Sequence, residues 1–88
     1  MASNKITYGD IGRLLHSEGF EPAVENDRNI RFDNPLKQAA IVLPKTPPAA
    51  RANLLDLELV RRTMVDFGIM SDGDFERWVA DPKHHQAA

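Results

Sequence analysis

The order of local patterns along this chain constrains its fold more than any single motif does. One amphipathic segment ends at Gly19-Phe20, apolar and polar residues alternate over 28–33, an apolar run covers 38–43, and a second amphipathic segment ends at Gly68-Ile69. Spacings of 3.6 and 2 residues are typical of helices and half-buried strands, respectively. The order therefore predicts a helix, a set of strands and a second helix.

The first helix has sequence signals at both ends. Thr7 is a favoured N-cap, and Asp10 three residues later completes a capping-box pattern. Ile6 and Ile11 are spaced as a hydrophobic staple around this cap. Gly19 is placed as the left-handed residue that ends the helix.

Three short strands are predicted after this helix, at 20–24, 28–33 and 38–43. Pro22 cannot donate a backbone hydrogen bond, so it places the first strand at a sheet edge. The short connections favour an antiparallel meander. The side chains expected to face the helices are Ile30, Phe32, Ile41 and Leu43.

A proline-containing loop over 44–52 leads into the second helix, whose N-cap is either Asn53 or Asp56. A further short helix follows over the stretch that contains Trp78. Its aromatic cluster either docks this helix on the domain, which is the favoured interpretation, or anchors a partner. The result is an α+β fold: an α-β-β-β-α two-layer domain with a three-stranded antiparallel sheet, plus a short C-terminal helix. The single domain is expected to cover 1–80, and 81–88 are expected to form a flexible tail.

Composition limits the classes of function. The 88 residues allow one small domain, the formal net charge is −2, and there is no cysteine for disulfides or thiolate metal sites. Nucleic-acid-binding domains are usually basic, so an RNA-binding role would depend on a local patch. The N-terminal residues do not form a signal peptide and no apolar run is long enough to span a membrane, so a cytoplasmic protein with no membrane association is expected.

The chain resembles the HicA/YcfA family of small RNA-binding and RNA-cleaving toxin-type domains. The resemblance covers about 6–79 and is carried by the Leu14-Leu15 to Gly19-Phe20 helix end, the strand that ends Asn34-Pro35, and the order of the elements. It implies a fold similar to the double-stranded-RNA-binding domain. It also implies RNA and an antitoxin of the HicB type as candidate partners.

Two positions depart from the family at its functional edge. The family's Gly-Ser-His stretch corresponds to Asp27-Arg28-Asn29, so an amide replaces the catalytic histidine, and a second family histidine falls at Thr46. An imidazole can exchange a proton with a ribose hydroxyl near neutral pH, whereas an amide cannot. These departures imply a domain without catalytic residues. No cofactor and no metal site are expected.

The candidate residues for binding RNA or a partner lie around this edge. Basic residues in and after the strands form a candidate phosphate patch, although interleaved carboxylates dilute it. The alternative interpretation is an ordinary solvated strand face. The candidate site residues are Arg28, Asn29, Arg31, Lys45 and Thr46.

Three functions follow from this sequence. The leading hypothesis is a non-catalytic HicA/YcfA-like domain that binds RNA or a protein partner. The first alternative is an active mRNA interferase toxin of a toxin–antitoxin pair that uses other groups for cleavage. The second is an oligomerising protein-interaction module without nucleic acid, and the sequence leaves the oligomeric state open.

Overall fold

Helices and strands follow one another in the predicted order over residues 5–84, which are the residues that the computed structural model describes. The helices are α1 (Tyr8–Ser17), α2 (Leu54–Asp66) and α3 (Asp72–Ala80), and the strands are β1 (Glu21–Glu25), β2 (Asn29–Asn34) and β3 (Ala39–Pro44). The strands form one antiparallel sheet in the order β1-β2-β3. The α+β fold is confirmed, and each strand begins one residue later than the sequence predicts.

Both predicted caps of α1 are present. The Thr7 N–H donates to Asp10 Oδ2 at 3.0 Å, and the Asp10 N–H donates to Thr7 Oγ1 at 3.1 Å. Burial would raise the pKa of Asp10, but the Thr7 hydrogen bonds and the Arg13 guanidinium outweigh it and hold that pKa below its usual value. At the other end, Gly19 has a φ of 95°, and the Phe20 N–H donates to the Leu15 carbonyl.

The loop between β3 and α2 packs over the N-terminus of α1. The Tyr8 N–H donates to the Ala50 carbonyl at 3.0 Å and the Gly9 N–H donates to the Pro48 carbonyl at 2.9 Å. A Cβ atom on Gly9 would lie 3.1 Å from that Pro48 oxygen, so glycine permits this close approach. Backbone carbonyls of the loop already accept hydrogen bonds from these first-turn N–H groups. The N-terminus of α1 is therefore less able to bind an anion than a free helix N-terminus.

The structure settles where α2 begins. Asn53 is the N-cap, and its Oδ1 accepts from the Leu55 N–H at 2.7 Å. Asp56 lies inside the first turn and accepts a hydrogen bond from the Tyr8 hydroxyl at 2.6 Å. Burial and this bond to Asp56 raise the pKa of Tyr8. The tyrosine thereby links the beginning of α1 to the beginning of α2.

Helix α3 docks on the domain through its aromatic face. Phe75 and Trp78 are both buried, which confirms the favoured docking interpretation of this cluster. The first part of the predicted flexible tail is ordered, because Pro82–His84 form a 3-10 turn that contacts α1. Residues 85–88 of that tail lie outside the described part of the chain. Within the described part, no helix is both long and apolar enough to cross a membrane.

The core lies between the helices and one face of the sheet. Ile41 and Leu43 of β3 are buried as predicted, but Ile30 and Phe32 of β2 are only partly buried. The prediction that these two β2 side chains would be buried is wrong because they line an open groove beside the glycines of α1. The opposite sheet face is open, with Val42 at 48% exposure.

Candidate functional site

Strand pairing brings four of the five predicted site residues to one end of the sheet. Asn29 lies opposite Pro44, and the Lys45 N–H donates to the Arg28 carbonyl at 2.7 Å. Thr46 follows Lys45 directly in the chain. Arg31 lies two residues farther along β2, opposite Val42. The sequence therefore predicted residues that share one edge, although it could not show which of their charges are available.

Asn26 organises the turn that presents Arg28 and Asn29. Its Oδ1 accepts from the N–H groups of both residues, each at 2.8 Å, and its own N–H donates to the Asn29 carbonyl at 3.0 Å. Asparagine favours turns because its side chain can replace a backbone acceptor in this way. This positioning role was missing from the predicted site, although the turn propensity of Asn26 signals it.

Asn29 opens β2 with its main chain fixed and its side chain exposed. Its carboxamide forms no hydrogen bond with any residue of the described range, so no carboxylate or imidazole is bonded to it there. His16 lies elsewhere, on α1, with Nδ1 at 3.4 Å from Glu21 at the opposite end of β1. The Asn29 amide is thus available for binding but has no partner for proton transfer.

Carboxylates neutralise two of the three predicted cations. The Arg31 guanidinium donates to both oxygens of Asp33, at 2.9 and 3.1 Å. The Lys45 ammonium pairs with Glu25 of β1. Arg28 has no ion-pair partner among residues 5–84. The patch therefore presents one available positive charge rather than a continuous basic surface.

An apolar groove of about 210 Å³ opens at this same end of the sheet, between α1 and strands β2 and β3. Thr46 lies on its lining, next in the chain to Lys45. Gly12 on the facing side of α1 has no atom within 4 Å of where a Cβ would lie. The groove is lined by Tyr8, Gly9, Gly12, Ile30, Phe32, Leu43, Pro44, Thr46 and Pro48.

Gly12 keeps this groove open at a cost in stability. A glycine inside a helix is about 0.5–1 kcal/mol less favourable than alanine. We expect Gly12→Ala to raise the free energy of unfolding by about 0.5–1 kcal/mol, because the new methyl group enters empty space. Urea denaturation followed by circular dichroism measures this change. Gly9→Ala is the matched control, and its free energy of unfolding should not rise, since the added Cβ would press on Pro48. A Gly12→Ala variant that is less stable than the natural protein would contradict the open groove.

Asn34 is a buried polar residue whose role the sequence did not reveal. Its Nδ2 donates to the Glu18 carbonyl at the end of α1 at 2.9 Å, and its Oδ1 accepts from the Lys37 N–H at 3.2 Å. The sequence predicts that the second strand ends at residue 33, but Asn34 is the last residue of β2. The alternation of Ile30, Phe32 and Asn34 on one face is the signal that places it inward.

Comparisons of this chain with protein-family models, with curated proteins and with solved structures give no match. Within residues 5–84 there is also no group of three histidine, cysteine, aspartate or glutamate residues that could hold a metal ion. The groove and the polar residues at the same end of the sheet are therefore the features of the described residues that bear on function.

Proposed function

We propose that this chain is a HicA/YcfA-like domain that binds a protein partner at the groove and does not cleave RNA. The observation that carries the proposal is the apolar groove between α1 and strands β2 and β3, which has Thr46 on its lining. Protein interfaces are anchored by apolar or aromatic side chains that fill such pockets, surrounded by a polar rim. Thr46 supplies a hydrogen-bonding group for that rim.

Charge favours a protein over RNA as the partner. Affinity for nucleic acid depends mainly on cations that neutralise phosphates. At this edge Arg31 is held by Asp33 and Lys45 by Glu25, so a phosphate backbone would have to displace a carboxylate at each. The net charge of −2 adds no general attraction. An apolar side chain, in contrast, needs no such displacement to enter the groove.

The chemistry of the groove defines its partner. We infer a segment with a leucine, isoleucine or phenylalanine that enters the groove and an acidic residue nearby that pairs with Arg28. The resemblance to HicA/YcfA domains makes an antitoxin of the HicB type the class of protein in which to seek such a segment. Asn29 contributes hydrogen bonds only, because its amide cannot exchange a proton with a ribose hydroxyl.

A displayed random-peptide library tests this proposal directly. We expect the pure protein to select peptides with an apolar residue close to an acidic one. Gly12→Leu should weaken their binding at least about tenfold, because it fills the space in which a side chain worth about 1.5–3 kcal/mol is buried. The fold of Gly12→Leu should be intact, since the position is helical and open.

Leu36→Ser is the matched control for that experiment. Leu36 is 95% exposed in the turn between β2 and β3, at the opposite end of the sheet from Asn29, so peptide binding should not change. Peptides that bind Gly12→Leu as well as the natural protein would contradict the groove as the site. Cleavage of mixed RNA by the nuclease-free protein, abolished by Arg31→Ala, would favour the interferase alternative.

A further inference from the structure

Helix α2 presents an exposed stripe that the proposed groove does not use. Leu55, Leu59, Arg62 and Asp66 follow one another at spacings of four, three and four residues, so they share one face of the helix. Leu55 is 79% exposed and Leu59 41% exposed. The residues that α2 buries, Val60, Thr63 and Met64, lie on its other side. The stripe is therefore an apolar pair followed by charged residues.

The two ends of α2 carry complementary charges beyond this pair of leucines. Arg51 lies two residues before the N-cap Asn53, where its backbone pairs with Thr7, and Asp66 is the last residue of the helix. Both are exposed, and neither has an ion-pair partner within residues 5–84. Arg51 and Asp66 lie on either side of the leucine pair, so a copy of the chain turned through 180° brings each Arg51 to the side of the other copy's Asp66.

We propose that a second copy of this chain packs its α2 antiparallel against this stripe. Leu55 and Leu59 of the two copies meet at the centre, and the aliphatic part of Arg62 covers the partner copy's leucine. Arg51 of each copy then faces Asp66 of the other. The antiparallel arrangement also aligns the helix dipoles favourably, with each acidic C-terminal residue near the other helix's N-terminus.

The arrangement predicts a concentration-dependent dimer of modest affinity, because a single pair of short helices buries less area than a large obligate interface. Sedimentation velocity over a wide concentration range should show a monomer that converts to a dimer. Leu55→Glu should leave only the monomer. This variant will fold, since Leu55 is exposed and a glutamate in the first turn of a helix is favourable.

Two matched sets of variants make the test specific. Leu36→Glu adds the same charge at a leucine far from the stripe and should leave the dimer unchanged. Arg51→Asp and Asp66→Arg should each weaken the dimer, whereas the double variant should restore it, because each reversed charge then faces an opposite one. A natural protein that is monomeric at every concentration, or a dimer that survives Leu55→Glu, would overturn the proposal. A double variant that dimerises more weakly than either single charge reversal would overturn the antiparallel pairing.

Discussion

Trp78→Ala is expected to lower the free energy of unfolding by about 3–5 kcal/mol, the usual cost of removing a buried large aromatic side chain. Trp78 is 2% exposed and packs on Phe75 with their ring centroids 5.3 Å apart. It is one of two buried residues on α3, so its loss removes much of what attaches this helix to the domain. A domain of this size is stable by about 5 kcal/mol, so the variant should be close to unfolded at 37 °C.

Urea denaturation followed by circular dichroism measures this loss. Leu54→Ala is a suitable control, since Leu54 is 66% exposed and its truncation should change the free energy of unfolding by less than about 0.5 kcal/mol. If Trp78→Ala lost less than about 1 kcal/mol, α3 would not be held by this side chain.

The elements of this fold were predictable because their ends are encoded locally. The capping box of Thr7 and Asp10 and the positive φ of Gly19 and Gly68 depend on residues only a few positions apart. The strands were predictable from alternation, although β2 runs over Asn29–Asn34, one residue later than the pattern predicts. Local signals of this kind are reliable because they involve short-range hydrogen bonds.

The site was only half predictable, because its properties depend on contacts between distant segments. Period-two alternation predicted that Arg31 faces solvent, but the pairing of Lys45 with Glu25 requires knowledge of how β1 and β3 flank β2. The groove was missed for the same reason. Alternation marks Phe32 as inward-facing, yet whether it is covered depends on Gly12 of a helix twenty residues earlier.

Asn34→Ala is expected to lower the free energy of unfolding by about 1–3 kcal/mol, because it removes both hydrogen bonds of a buried side chain. The Asn34 amide donates to the Glu18 carbonyl at the C-terminal end of α1 and accepts from the Lys37 N–H in the turn that leads into β3. Asn34→Asp should also destabilise the protein, since it replaces the donor to Glu18 with an oxygen. Urea denaturation measures both changes.

Asn29→Ala is the matched control for Asn34→Ala. Asn29 begins the same strand, but its carboxamide is exposed and has no hydrogen-bond partner in the described part of the chain. Its truncation should therefore change the free energy of unfolding by less than about 0.5 kcal/mol. Equal destabilisation by Asn29→Ala and Asn34→Ala would contradict this division. Asn29 would then be a structural residue rather than an exposed surface amide.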